Sequence, residues 1–146
     1  MKAVIQRVSY ASVEYDDTKN QISNGIVIFL AVGKDDTEED VDYLVKKILN
    51  LRIFENEKKK MDRSVVDIDG EILIVSEFTL YGDCSKGNRP DFTSAATAET
   101  AQKLYDKFVS KMISNMSKEK VKTGKFGAHM IVTIVNDGPV TIIINS

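Results

Sequence analysis

Alternating and continuous apolar positions predict most of the strands in this chain. Polar and apolar residues alternate loosely from Lys2 to Tyr15, and an uninterrupted apolar run extends from Ile26 to Val32. The first pattern is typical of a half-buried β-strand and the second of a buried one, so we expect the two to pair across Asn24-Gly25. Further strands are predicted at residues 51–54, 72–80, 120–123, 128–135 and 140–145.

Two segments have the spacing of helices. Thr37 is followed by three acidic residues and then by apolar residues every three or four positions, which indicates a helix that begins at Thr37. A longer helix is predicted to begin at Thr97 and to keep one apolar stripe for about four turns. Its apolar positions, which we assign to the core, are Ala101, Leu104, Tyr105, Phe108, Val109, Met112, Ile113 and Met116.

These elements predict an α+β fold. Long, mainly antiparallel strands and two main helices suggest strongly curved β-sheets that form a roll or barrel-like core. A chain of 146 residues without internal repeats or a linker is expected to be a single domain, residues 1–146.

The charge balance limits how the chain can hold nucleic acid. The formal net charge is −2, so any RNA contact must use local basic patches. Candidate patches are Lys58 to Lys60, Lys86 with Arg89, and the series Lys118, Lys120, Lys122 and Lys125. A solvated charged face is the alternative explanation of each patch.

Cysteine and histidine are nearly absent from the sequence. One cysteine, Cys84, excludes an intramolecular disulfide, and with the single His129 it cannot form a Cys/His zinc site. We therefore expect no metal and no cofactor. No signal peptide or membrane-length apolar stretch is visible, so we expect a soluble, cytoplasmic protein.

The segment from Asp137 to Val140 separates two β-rich runs and places a proline directly after a glycine. Proline lacks the N–H that a ladder needs, so one interpretation is a simple strand break. The other is a stiff loop, with Gly138-Pro139 in the trans or cis form, whose carbonyls point outward.

Several motifs together resemble the D-aminoacyl-tRNA deacylase family. They are Ser76-Glu77-Phe78-Thr79-Leu80, the downstream Gly87, Arg89, Pro90 and Phe92, the run Thr123 to Met130, and the run Asn136 to Thr141. The residues Ile5 to Val8 and Ala11 to Val13 also resemble the family's N-terminus. The similarity spans nearly the whole chain and is therefore more specific than one short pattern.

The resemblance implies hydrolysis of the ester between a D-amino acid and the 3′-terminal ribose of tRNA, a chiral proofreading reaction. It also implies a homodimer with its active site at the subunit interface, where a Gly-cis-Pro motif from the partner excludes L-amino acids. Gly138 and Pro139 match this motif, and Arg7 matches an arginine that braces it. On chemistry alone, a salt bridge between Arg7 and an acidic residue at the protein surface is nearly as good an explanation. A site that rejects side chains by collision cannot exclude glycine, so glycyl-tRNA is expected to be a substrate as well.

The catalytic candidates lie in the first motif, at Ser76, Phe78 and Thr79. An activated ester needs no strong nucleophile, and the backbone N–H groups of Phe78 and Thr79 are suited to hold its oxyanion. We expect the Thr79 hydroxyl to orient water or ribose rather than attack, because no base is evident beside it. Alternatively, Thr79 is only a strand former, and the ribose 2′-hydroxyl of the substrate supplies the proton chemistry.

Two positions depart from the family pattern. Glu77 replaces the usual glutamine, and an ionised carboxylate accepts hydrogen bonds but cannot donate them. Glu77 is therefore either a substrate-binding residue, a general base or a bystander paired with a lysine. His129 stands where the family more often has an acid, and we expect it on a strand, at the surface or in a dimer contact.

Two other classes of function fit the sequence less well. A noncatalytic β module for single-stranded nucleic acid would use its basic patches, but the chain has no tryptophan and its aromatic residues follow apolar patterns. A structural dimer without a ligand would have a trans Gly138-Pro139 bond packed against its own sheet.

Overall fold

The computed structural model describes all residues, 1–146. Its strands are β1 (Lys2–Tyr15), β2 (Thr18–Ile22), β3 (Gly25–Ala31), β4 (Phe54–Glu55), β5 (Met61–Arg63), β6 (Glu71–Ser76), β7 (Val121–Thr123) and β8 (Ile131–Asn145). The helices are α1 (Glu38–Leu49) and α2 (Ala98–Asn115), and one turn of 3-10 helix covers Phe78–Tyr81.

The main sheet has the order β2-β1-β3-β6-β7, and β8 also pairs with β1. Strand β1 is antiparallel to β2, β3 and β8, whereas the β3–β6 and β6–β7 pairs are parallel. The side chain of Asn20 on β2 donates to the Thr123 carbonyl on β7 at 2.7 Å, so the sheet nearly closes into a barrel. The predicted α+β fold with a barrel-like core is confirmed. The first two apolar strands pair as expected, but not across a turn at Asn24-Gly25, because β1 turns into β2 after Tyr15 and Asn24-Gly25 joins β2 to β3.

Both helices begin where the sequence predicts. The backbone N–H of Thr37 donates to Asp40 Oδ2 at 2.8 Å, and Thr97 Oγ1 accepts from the Thr100 N–H at 3.4 Å. Each helix buries its apolar face in one core, to which α2 contributes Leu104, Tyr105, Phe108 and Met112. Complete burial of a side chain such as Phe108 contributes about 1.5–3 kcal/mol, which keeps α2 against the sheet.

Three predicted strands differ from the observed ones. The strand expected at 72–80 ends at Ser76, because β3 pairs with β6 only as far as Leu30 opposite Ser76. The chain then turns into the 3-10 helix, so Phe78 and Thr79 do not lie on a strand. The strand expected at 51–54 is reduced to Phe54–Glu55, and the one expected from 128 begins at Ile131, which leaves His129 in a loop.

The predicted break at Asp137 to Val140 lies inside one long strand. Asn136 pairs with Val8 and Thr141 pairs with Gln6, so residues 137–140 bulge out opposite the single residue Arg7. We call residues 137–140 the Gly-Pro loop. The sheet continues on both sides of it, which fixes both ends of the loop.

Candidate active site

A cavity of about 520 Å³ opens beside the end of β6. Ser76, Glu77 and Phe78 form one part of its wall, and the loop from Phe126 to Met130 forms another. Thirteen of its 17 lining residues are hydrophobic, so the cavity suits a ring system with few polar groups. The structure thus brings three of the residues proposed from the first motif to one concave site.

Phe78 and Thr79 are the first two residues of the 3-10 helix. The first N–H groups of a helix have no acceptor within the helix, so these two are available to a ligand. Both residues are exposed, Phe78 at 58%. The sequence predicts a strand at Phe78 and Thr79, whereas the structure places them in a 3-10 turn. The turn leaves both N–H groups free to bind an oxyanion.

Glu77 and Thr79 form a hydrogen bond that the sequence analysis missed. The Thr79 hydroxyl donates to Glu77 Oε1 at the exposed rim of the cavity. A carboxylate acceptor is therefore in place beside a hydroxyl for which no base was evident. Alternation already placed residues 77 and 79 on the same side of the chain, and this was the signal that would have suggested the pair.

His129 is exposed, yet it lines the cavity together with Phe126 and Glu77. Its loop turns at Gly127, which has a φ of +71°, a conformation that favours glycine. The expected surface position is correct, but the proximity to the cavity depends on this turn. The sequence predicts a strand from residue 128, and a strand there does not indicate that His129 lies beside the cavity.

Arg7 binds the Gly-Pro loop through Asp137. Its Nε donates to the Asp137 carbonyl at 3.0 Å and lies 3.2 Å from Asp137 Oδ2, and its Nη1 donates to the Ile53 carbonyl at 2.6 Å. Arg7 is 6% exposed, so these contacts are largely shielded from water. The guanidinium therefore links the loop to the segment between α1 and β4.

Gly138 and Pro139 themselves are exposed, and the peptide bond between them is cis. Gly138 has a φ of +130°, and a Cβ there would lie 2.8 Å from Val140 Cγ2. Glycine is thus required by both backbone conformation and space. The exposure of both residues does not fit the structural-dimer interpretation, which expects them to pack against their own sheet.

The Gly-Pro loop lies away from the Ser76 wall of the cavity in its own chain. Arg7 pairs with Ile26 of β3, whereas Ser76 pairs with Leu30 of the same strand, four residues further along. Four residues of strand span about 13 Å, and β8 is separated from β6 by three interstrand spacings of about 4.8 Å. This separates the loop from the Ser76 wall of the cavity, and none of residues 137–140 lines the cavity of its own chain.

A buried tyrosine supports the cavity wall. The Tyr105 hydroxyl donates to the Ile74 carbonyl at 3.1 Å, and burial raises the pKa of Tyr105. Tyr105 also packs near Phe126, with ring centroids 5.6 Å apart. The neutral phenol thus connects α2, β6 and the loop that lines the cavity.

The family model for D-Tyr-tRNA(Tyr) deacylase matches residues 4–145. The chain belongs to this family. Curated relatives of this deacylase include proteins named D-aminoacyl-tRNA deacylase from Thermosipho africanus, 54% identical, and Clostridioides difficile, 53% identical. Each comparison covers 100% of this chain and 97% of the relative. Membership makes the chain an enzyme, a hydrolase of translation quality control.

Two solved structures have the fold of this deacylase. One, named c-Myc DNA Unwinding Element Binding Protein, is 45% identical with a TM-score of 0.94 and covers 100% of this chain and 99% of its own. The other, described as a "probable eukaryotic D-amino acid tRNA deacylase", has a TM-score of 0.85 at 19% identity and covers 98% and 97%. The second shows similarity of fold alone.

No helix of the deacylase has the length and apolar character needed to cross a membrane.

Proposed function

We propose that residues 1–146 form a single domain that hydrolyses the ester of D-aminoacyl-tRNA within a homodimer. Each cavity is completed by the Gly-Pro loop of the partner subunit. The observation that carries this proposal is the separation of loop and cavity within one chain, together with the exposure of Gly138 and Pro139. Because the substrate is aminoacyl-tRNA, we place the enzyme in the cytoplasm.

Strand β8 supports the dimer. Its hydrogen-bonded neighbour is β1, so its second edge has no partner strand in the chain. It also exposes three large apolar side chains, Ile131, Val135 and Ile143, at 62%, 48% and 67%. A long apolar edge strand left uncovered promotes association, and a second copy of the same strand would cover it symmetrically.

The reaction uses water as the nucleophile. Water adds to the ester carbonyl carbon, and the N–H groups of Phe78 and Thr79 hold the negative charge that develops on its oxygen. Thr79 orients the water, and Glu77, which accepts the Thr79 hydroxyl proton in a hydrogen bond, receives the released proton. The bond from the carbonyl carbon to the ribose oxygen then breaks, and that oxygen takes up the proton that Glu77 received, which regenerates the carboxylate. The terminal nucleoside occupies the apolar cavity beside Ser76.

L-amino acids are excluded by steric collision. The partner's Gly-Pro loop forms a rigid wall where an L side chain would point, and its carbonyls accept hydrogen bonds from the substrate ammonium group. Arg7 keeps the loop in position through the Asp137 carbonyl. Glycine has no side chain to collide with this wall, so glycyl-tRNA is cleaved too.

The test is deacylation of matched D-tyrosyl-, L-tyrosyl- and glycyl-tRNA by the purified enzyme. We expect cleavage of the D and glycyl esters, loss of chiral discrimination in Pro139→Ala, and residual turnover in Thr79→Ala. If D-tyrosyl-tRNA were hydrolysed while glycyl-tRNA stayed intact at equal concentration, rejection by collision would be wrong.

The solved structure named for DNA binding favours one second candidate, a noncatalytic module for single-stranded nucleic acid. That name belongs to a chain 45% identical to this one. Absence of turnover on every aminoacyl-tRNA, combined with salt-sensitive binding of bare oligonucleotides, would support this candidate over the deacylase.

A further inference from the structure

We infer that the segment from Asp83 to Asp91, here called the basic arm, binds the phosphates of the single-stranded 3′ end of tRNA through Lys86 and Arg89. This inference rests on the proposed function, because it assumes that the terminal nucleoside enters the adjacent cavity. It adds a binding site for the nucleotides that precede the ester.

The basic arm is a loop whose two ends are joined by one antiparallel bridge. Asp83 and Asp91 exchange both backbone hydrogen bonds, at 2.8 and 2.9 Å. Their carboxylates cap the arm's own backbone, since Asp83 Oδ1 accepts from the Ser85 N–H and Asp91 Oδ1 accepts from the Thr93 N–H, both at 2.8 Å. The hydrogen bond from the Ser85 N–H lowers the pKa of Asp83. Both acids are therefore engaged at the base of the arm.

The two cations of the arm have no ionic partner. Lys86 and Arg89 are exposed, and neither forms an ion pair or a side-chain hydrogen bond in the structure. Lys103, Lys107 and Lys120 each lie within 2.9 Å of a carboxylate oxygen, whereas Lys46 and Lys47 of α1 are unpaired like the two cations of the arm. The arm has no net charge, because Asp83 and Asp91 balance the two cations, but the acids lie at its bridged base while Lys86 and Arg89 lie between them, toward the exposed tip.

The base of the arm packs against the cavity wall. The Phe92 ring meets the Phe78 ring edge to face, with centroids 5.0 Å apart, and Phe78 lines the cavity. At the other end, a Cβ built on Gly87 would meet no atom within 4 Å, so the tip stands in open space. The arm therefore begins beside the cavity and ends in solvent.

Single-stranded RNA is the occupant that these features favour. An extended backbone brings successive phosphates past the two exposed cations of the arm, and the absence of tryptophan leaves charge as the main attraction. Two phosphate contacts predict a salt slope of about −1.4 from this site, that is, −0.7 for each contact.

The experiment compares the double variant Lys86→Ala/Arg89→Ala with a matched control, Lys46→Ala/Lys47→Ala. The control removes two exposed lysines from α1 and replaces them with a good helix former. Two substrates are used with each enzyme, D-tyrosyl-tRNA and D-tyrosyl-adenosine, an ester that carries no phosphate.

We expect the arm variant to raise KM for D-tyrosyl-tRNA about tenfold at low salt without changing kcat. The slope of log(kcat/KM) against log salt should become shallower by about 1.4. Cleavage of D-tyrosyl-adenosine should be unchanged, and the control should behave as the wild type on both substrates.

Three results would overturn the inference: an unchanged salt slope, an equal loss in the control, or an equal loss on D-tyrosyl-adenosine. Failure of the proposed function looks different, because the wild-type enzyme would then cleave neither ester. In that case the binding of deacylated tRNA, followed by fluorescence anisotropy, still tests the arm through the same difference in slope.

Discussion

Replacing Arg7 with methionine removes the guanidinium that holds the Gly-Pro loop and keeps most of the side-chain volume. The change deletes the hydrogen bonds to the Asp137 and Ile53 carbonyls. A hydrogen bond to a charged group contributes about 1.5–3 kcal/mol, and the lower value applies here because the Asp137 side chain is 53% exposed. We therefore expect a loss of about 3 kcal/mol of stability. At about 4 °C per kcal/mol for a chain of this size, Tm should fall by about 12 °C.

The functional consequence follows from the position of the loop. Without Arg7 the loop keeps its ends in β8 but loses its internal support, so the wall against L side chains becomes compliant. We expect the ratio of kcat/KM for D-tyrosyl-tRNA over L-tyrosyl-tRNA to fall about tenfold, or about 1.4 kcal/mol. Urea unfolding gives the stability, and deacylation well below the variant's Tm gives the ratio.

The matched control is Arg52→Met. Arg52 is 64% exposed and pairs with Asp62 at the surface, so its loss should cost no more than about 0.5 kcal/mol and leave the ratio unchanged. If Arg7→Met lost stability but kept full discrimination, the arginine would stabilise the fold without positioning the wall.

Three further changes test other parts of the proposal. Glu77→Gln should lower kcat about 100-fold with little change in KM, whereas an unchanged kcat would assign the proton chemistry to the ribose 2′-hydroxyl. Tyr105→Phe removes one of two hydrogen bonds to the Ile74 carbonyl, which keeps the one from the Gly124 N–H, and should cost about 0.5–1.5 kcal/mol at pH 7 in urea unfolding. Since the folded-state pKa of Tyr105 is raised, its contribution is complete below the unfolded value of about 10 and lost as pH rises above it; an equally steep alkaline loss in the variant would contradict this. Ile143→Lys should convert the dimer to monomers in sedimentation experiments, and an unchanged dimer would exclude this face of β8 as the interface.

The helices and the long strands could be predicted because burial imposes a period on the sequence. Thr37 and Thr97 begin their helices as expected, and the stripe along α2 matches its buried residues. Strand β2 has no such period, since Thr18–Ile22 is mostly polar and exposed and is stabilised by its pairing with β1. Nothing local in those five residues indicates a strand.

The site was harder to predict than the fold because its geometry depends on where pairing stops. Phe78 and Leu80 continue the alternation of β6, but the partner strand β3 ends first and the chain turns at Glu77. The hydrogen bond from Thr79 to Glu77 forms within this turn. The distance between cavity and Gly-Pro loop likewise depends on the register of β1, β3 and β6, which no single motif encodes.

Strand β1 is synthesised long before its partner β8. The residues that pair in β1 and β8 are separated by most of the chain, and contacts of this kind slow folding. Until β8 emerges from the ribosome, one edge of β1 has no hydrogen-bonding partner and can template pairing with other chains. The nascent chain therefore acquires its cavity wall before the Gly-Pro loop, which we propose checks chirality. Selectivity between D and L substrates is then the last property that the chain acquires.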